Sequence, residues 1–196
     1  LTDRGSVLLV KEDGKVLMDK VHFSHNGNTP GGAGVADINT GIHLFVTRSK
    51  FDNNEGRSIN GGVLKIQFDS FASFTDCEFI NCRSDRSGGV IFALNSTLVI
   101  NQCKFINNSA TWYGGTIYTT QSSLYLNNNT IHNSHAVFGG AVYAFVRGIL
   151  SVNTTIFTQN SAQRLGGDIV ASNYVNLAIN NCTFHDSDAS LGRILY

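Results

Sequence analysis

Charge is scarce in this chain. Lys and Arg number 14, Asp and Glu another 14, and the charged share of the 196 residues is 14%, against about 25% in ordinary soluble domains. No basic stripe is built from so few cations, which removes nucleic acid as an expected partner. No apolar run reaches the ~18 residues of a membrane-spanning helix, and no N-terminal signal pattern opens the sequence. No membrane insertion by this segment is therefore expected. Apolar stripes at i, i+3, i+4 and i+7 are missing too, and with them the mark of an amphipathic helix.

What the chain has instead is a repeat. At intervals of 26 to 28 residues a large apolar residue is followed, three positions later, by a small polar one: Phe23/Asn26, Phe51/Asn54, Phe79/Cys82, Phe105/Asn108, Ile131/Ser134, Phe157/Asn160 and Phe184/Ser187. A glycine pair or its remnant follows each: Gly31-Gly32, Gly61-Gly62, Gly88-Gly89, Gly114-Gly115, Gly139-Gly140, Gly166-Gly167 and Leu191-Gly192. A fixed period in this range is the signature of stacked repeats, each burying its apolar face on the next.

Seven and five residues before each Phe or Ile stand apolar pairs such as Leu98/Ile100 and Leu124/Leu126, spaced by two as in a strand with one buried face. Two before it the residues are mostly small. A second short strand is expected after each glycine pair, entered by Gly34, Leu64, Ile91, Ile117, Val142, Ile169 and Ile194. Ala110, Ala136, Ala162 and Ala189 align five past the Phe position. Three short strands per turn describe an all-β fold, a single-stranded right-handed parallel β-helix of about seven coils of 25–28 residues. Burial of each ladder Phe should contribute about 2–3 kcal/mol. The Asn column is expected at a turn, where side-chain amides bond to the backbone, and the glycines at a corner of positive φ. Gly5 falls in the register of Gly32, so residues 1–196 read as one continuous solenoid segment. Residues 1–4 and 193–196 occupy corresponding places in the repeat with no atypical cap, so the segment is expected to be part of a longer chain or to stack end to end on neighbouring copies.

Cys77 and Cys103 share a column in adjacent coils, about 5 Å apart and within disulfide reach; a disulfide and two stacked thiols are both open. Cys82 and Cys182 lie four coils apart, too far to bridge. Five N-x-S/T sequons, at Asn95, Asn107, Asn128, Asn153 and Asn181, are candidate glycosylation sites, with Asn107, Asn128 and Asn181 expected to be exposed.

The repeated columns carry Phe, Asn, Gly, Leu and Ala, none of them a reactive group. Carboxylates do not stack: Asp76 and Glu78 flank Cys77 with no acidic partner one coil away, and Asp186 and Asp188 have none in earlier coils. A carbohydrate-active β-helix enzyme needs paired carboxylates beside a groove, so catalysis is not expected, and neither is a cofactor. His132 and His135 have a spacing compatible with metal binding, but no Cys or carboxylate joins them, and solvated turn histidines are the expectation. One surface cluster stands out. Trp112 and Tyr113 precede a glycine pair, Phe138 and Leu165 match Tyr113 in later coils, and Tyr118 and Tyr143 share a column with Phe92. These aromatics suit a platform for glycans or a partner, or corner packing in a wide coil.

The paired motifs, Gly88-Gly89-Val90-Ile91, Gly114-Gly115-Thr116-Ile117 and Gly139-Gly140-Ala141-Val142 with Phe51 to Asn54, Phe105 to Asn108 and Phe157 to Asn160, resemble the polymorphic outer-membrane protein repeats of chlamydiae across nearly every coil. The resemblance implies a surface-exposed parallel β-helix used in adhesion or surface architecture. The expected role is thus an extracellular, non-enzymatic structural or adhesive module of a fibre or stalk, with a carbohydrate-active enzyme and a glycan-binding module as alternatives.

Overall fold

The computed structural model describes residues 7–27, 32–57 and 60–192. The expectations placed on Gly5, Gly31 and Ile194, and on residues 1–4 and 193–196, lie outside them. Every regular element is a β-strand, and the chain winds as a parallel solenoid of seven coils. One coil runs through Ile91–Leu94, Thr97–Asn101, Lys104–Ile106 and Ser109–Ala110. Its neighbours repeat it in register, so that Leu98 pairs with Ala72 on one side and Leu124 on the other. Corresponding strands stack into four parallel sheets, of seven, seven, seven and six strands among the described residues. Parallel strands are joined here by the rest of the coil, which serves as the crossover.

Four sides, not three, is a correction to the sequence expectation. The fourth strand holds as few as two residues, too short to show alternation. Its inward column is the alanine series, in register as Ser84, Ala110 and, later, Ala136, Ala162 and Ala189. The side chains there are small because the strand backs onto the glycine corner. A Cβ on Gly115 would lie 2.0 Å from the carbonyl oxygen of Gly140 and 2.7 Å from the backbone of His135. Gly114, by contrast, is needed for its conformation, with φ at +60°. The two glycines of a pair therefore serve different ends, one turning the chain and the other letting successive coils touch. Register also moves one assignment. Ala36 pairs with Leu64, so Gly34, not Gly32, takes the place of Gly62. A Cβ there would meet the Gly62 oxygen at 2.2 Å.

The Phe column runs in register from Phe23 to Phe184. Phe51, Phe79 and Phe105 are fully buried and stack face to face with centroids 4.9 Å apart. Ile131 interrupts the stack before Phe157 and Phe184 resume it at 5.0 Å. Offset stacking adds about 0.5–1.5 kcal/mol per pair to the burial term.

The Asn column lies where one strand turns into the next and bonds the backbone there, from inside the coil. Asn54, Asn108 and Asn160 are wholly buried, and the positive φ belongs to the residue before, such as Asn107 at 56°. That left-handed residue points the next backbone N–H into the stack, where the parallel ladder offers no acceptor. The side chain of the next coil supplies one. Asn108 Oδ1 accepts from the Cys82 N–H at 2.9 Å while its Nδ2 donates to the Phe79 carbonyl at 3.0 Å. Asn160 does the same for Ser134 and Ile131, each coil's amide capping the one before.

The rule repeats at two other corners. After Gln102, with φ at 55°, the Cys103 N–H is accepted by Asn129 Oδ1 at 2.8 Å, and Cys103 Sγ in turn accepts from the Cys77 N–H. After Asn95, at 46°, the Ser96 N–H is accepted by Ser122 Oγ at 3.1 Å. The small residues of the column two before the Phe are thus an inward polar ladder, and its cysteines occupy places that Ser, Thr and Asn fill elsewhere. The structure carries the four cysteines as thiols, with Cys77 and Cys103 sharing one column in adjacent coils, the Cys77 N–H 3.4 Å from Cys103 Sγ. A thiol is a weak donor and acceptor of the right size for this role. Burial pushes the Cys82 thiol up to about 12, and a hydrogen bond with Cys77 together with burial raises Cys103 as well.

Removing such a cap should cost more than exchanging it. Asn108→Ala leaves the Cys82 N–H and the Phe79 carbonyl without partners and should lower stability by about 2–4 kcal/mol. Cys103→Ser keeps both roles and should change it by less than about 1 kcal/mol. Equilibrium urea unfolding of the two variants measures the difference, and equal losses would contradict the capping rule.

Candidate functional site

The surface feature with the most developed geometry is an aromatic corner where the first sheet meets the end of the fourth. On the first sheet Phe92, Tyr118 and Tyr143 pair coil to coil on the outward parity of their strands, Phe92 covered by its neighbours and the two tyrosines half-buried. Tyr113 and Phe138, each just before a glycine pair, bridge to one another beside them. The fold of the coil brings these two columns face to face. Tyr113 packs edge-on against Tyr143 at 4.9 Å and stacks on Phe138 at 5.3 Å. Tyr118 completes the cluster at 5.7 Å from Tyr143 and 5.5 Å from Phe92.

Of the four aromatics singled out from sequence, Tyr113, Tyr118 and Tyr143 are thus brought into one half-buried cluster, while Trp112 stays outside it with 51% of its surface exposed. Burial, with Tyr143 alongside, pushes the Tyr118 phenol up from its ordinary value. Two concavities flank Tyr113. One of 210 Å³ is lined by Tyr113, Tyr118, Tyr143 and Phe145. The other, of 420 Å³, is lined by Asn60, Arg86, Ser87, Trp112 and Tyr113.

Sequence reasoning overlooked Phe145, Arg86 and Arg164. Phe145 lies two past Tyr143, on the same outward parity of a strand. Arg86, Trp112 and Arg164 each stand one residue before the column of Ser87, Tyr113 and Leu165, and Arg164 lies over the Phe138 ring at 5.9 Å. A register search that included charged residues finds them.

The histidines remain apart. His135 Nδ1 pairs with Ser161 Oγ at 2.9 Å, and His22 contacts Asp52 across one coil step. Among the described residues no three His, Cys, Asp or Glu side chains converge as metal ligands. Glu78 pairs with Lys104 at 3.3 Å and Asp186 with His185 at 2.8 Å, both on the surface.

Asp168 is different. It follows a glycine pair and points inside, in the column of Val63, Val90, Thr116 and Ala141, where it is wholly buried. Its Oδ1 accepts from Asn160 Nδ2 at 2.8 Å. Burial pushes its carboxyl up to about 6, against the pull of Ser187 and Asn160. An acid whose folded value is raised binds a proton in the native state that the unfolded chain releases. Its contribution to stability is therefore present below about pH 4 and lost as pH rises through about 6. Asp168→Asn should raise the melting temperature at pH 7–8, by the equivalent of about 3 kcal/mol at most, and flatten this dependence. Thermal unfolding from pH 4 to 8 measures both effects, and a variant less stable than wild type at pH 8 would contradict the assignment.

The sequon asparagines divide by geometry. Asn95, Asn107, Asn128 and Asn181 are exposed and hold left-handed corners, with φ between 46° and 56°. Asn153 sits instead within an outward amide ladder on the second sheet. Its Nδ2 donates to Asn127 Oδ1 at 3.1 Å and to Ser151 Oγ at 3.2 Å, while its Oδ1 accepts from Asn180. Glycosylation replaces one amide N–H, and Asn153 has both in use. Asn107 donates only to Asn81 Oδ1, and Asn95 only to Asp69 Oδ1. If the chain is secreted through a eukaryotic host, glycopeptide mapping of the folded product should find occupancy at Asn128 and Asn181 and a bare Asn153. A glycan on Asn153 would contradict the ladder's rigidity.

Comparison with known proteins bears on the scaffold, not on the corner. No curated protein and no solved structure matches the chain. Residues 5–183 match the family described as the right-handed beta helix region, which sets the hand of the solenoid. The four stacked parallel sheets and this match agree, and the chain belongs to the right-handed β-helix family.

Proposed function

We propose that this chain is a non-catalytic structural and adhesive module of a cell-surface or secreted fibre or stalk. The observation that carries the reading is the division of labour across the coil. The inward columns hold side chains that stack or cap, whereas the aromatic corner presents rings, and a half-exposed Trp112, outward. Half-buried rings and an exposed Trp112 beside small concavities suit recognition of a surface ligand. The likeness of the G-G-x-I/V/L and F-x-x-N motifs to polymorphic outer-membrane protein repeats points the same way and supports display at the cell surface.

Adjoining β-helix segments or neighbouring copies are the proposed partners end to end. The interior side chains Met18 and Phe23 of the first described coil, and Leu177 and Phe184 of the last, are only partly buried and suit a further layer. Surface glycans are the proposed partners at the side. A carbohydrate-active enzyme has less support, because neither concavity at Tyr113 is lined by a carboxylate, and glycoside chemistry uses two.

Affinity electrophoresis through gels containing plant, microbial and animal polysaccharides, with a parallel assay for new reducing ends, tests the reading. Retardation by at least one polysaccharide, weakened by Trp112→Ala and without chain cleavage, is the expected result. Release of new ends would replace the adhesive reading with the enzymatic one.

A further inference from the structure

The charge around the aromatic corner narrows what it takes. In a chain of zero formal net charge, three of the six described arginines are neutralised locally, Arg48 by Asp19, Arg57 by Glu55 and Arg83 by Asp85, while Arg147 is exposed and has no carboxylate within salt-bridge distance among the described residues. Arg86 and Arg164 are exposed, and neither meets a carboxylate within salt-bridge distance among the described residues. Both belong to the aromatic corner. Arg86 lines the 420 Å³ concavity with Trp112 and Tyr113, and Arg164 lies over Phe138, which stacks on Tyr113. Lys65 precedes Phe92 in the same outward column one coil back.

The rings define the shape of the ligand. Tyr113 is the shared wall of the two concavities. A ligand of two or more linked units can occupy both at once. The outward column advances one coil, about 4.8 Å, at each step, which sets the direction of such a chain along the solenoid axis. Aromatic faces stack on the C–H faces of sugar rings. The hydroxyls of Tyr118 and Tyr143, with Ser87 and Asn60, offer hydrogen bonds to sugar hydroxyls. Guanidinium groups recognise planar or tetrahedral oxyanions with paired N–H donors, and both here carry unused donors.

We propose that the aromatic corner binds a single anionic glycan chain, its sugar rings stacked on Tyr113 and Tyr143 and its carboxylate or sulfate groups held by Arg86 and Arg164. This rests on the adhesive reading and names the ligand class of that surface. The sole tryptophan of the chain, Trp112, lines the larger concavity, so its fluorescence reports on the site directly.

Titration of the full chain with an oligogalacturonate hexasaccharide, a heparin-derived sulfated hexasaccharide and neutral maltohexaose tests the assignment. At least one anionic probe should change Trp112 fluorescence and bind about tenfold or more tightly than maltohexaose, with affinity falling as salt rises. Which anionic probe binds decides between carboxylate and sulfate. Arg86→Gln and Arg164→Gln are surface changes that leave the fold intact, and each should weaken the anionic probe by about tenfold. Equal binding of maltohexaose, a silent Trp112 with every probe, or wild-type affinity in the double arginine variant would each overturn the proposal. The adhesive reading fails separately. Polysaccharide retardation that survives in the double variant sinks only the anionic assignment, whereas loss of all retardation in wild type sinks both.

Discussion

Each coil of this solenoid turns its corners by placing one residue in the left-handed region, and the amide that follows then points into the stack. A parallel ladder has no carbonyl to offer there, and a buried N–H left alone costs about 1–3 kcal/mol. The next coil answers with a short side chain carrying an acceptor. Asn108 serves Cys82, Asn129 serves Cys103 and Ser122 serves Ser96. Several of these side chains also donate to a carbonyl of an earlier coil, as Asn129 does to Ile100 and Cys82 to Phe51. The apolar columns supply the bulk of the burial energy, but these polar ladders fix the register in which it is gained.

That constraint explains a composition otherwise hard to reconcile with a well-packed interior. Asn, Ser, Thr and Cys line the inside because each corner demands an acceptor of limited volume. The glycines answer a second constraint at the remaining corner, where the coils approach so closely that a Cβ on Gly115 would fall 2.0 Å from a neighbouring carbonyl oxygen. Among the described residues Asp168 is the one carboxylate set into the interior columns, and its raised pKa reflects an environment built for neutral groups. With the interior committed to stacking and capping, variation is left to the outward positions. The outward column that passes from Lys65 through Phe92 to Tyr143 is where such variation has gathered rings and cations around one corner.

The sequence by itself determined the period, the seven coils, the Phe stack and the aromatic columns. Each is a regular spacing of side-chain type, and a solenoid turns sequence period directly into neighbourhood in space. Phe92, Tyr118 and Tyr143 could be placed in one column from spacing alone, as could Tyr113 and Phe138. Only the tertiary structure decided what lies between columns. The fourth side of the coil was hidden because strands of two residues show no alternation, and the place of Gly34 shifted because a glycine pair, Gly31-Gly32, stands just upstream of the position that register assigns to Gly34. The buried Asn and Cys ladders escaped because the φ of one residue sets the direction of the next amide, and side-chain spacing does not record it. The pairing of the Tyr113 and Tyr143 columns into one corner, with Arg86 and Arg164 beside it, likewise depends on the angle between two faces of the coil, which backbone geometry sets and periodicity does not.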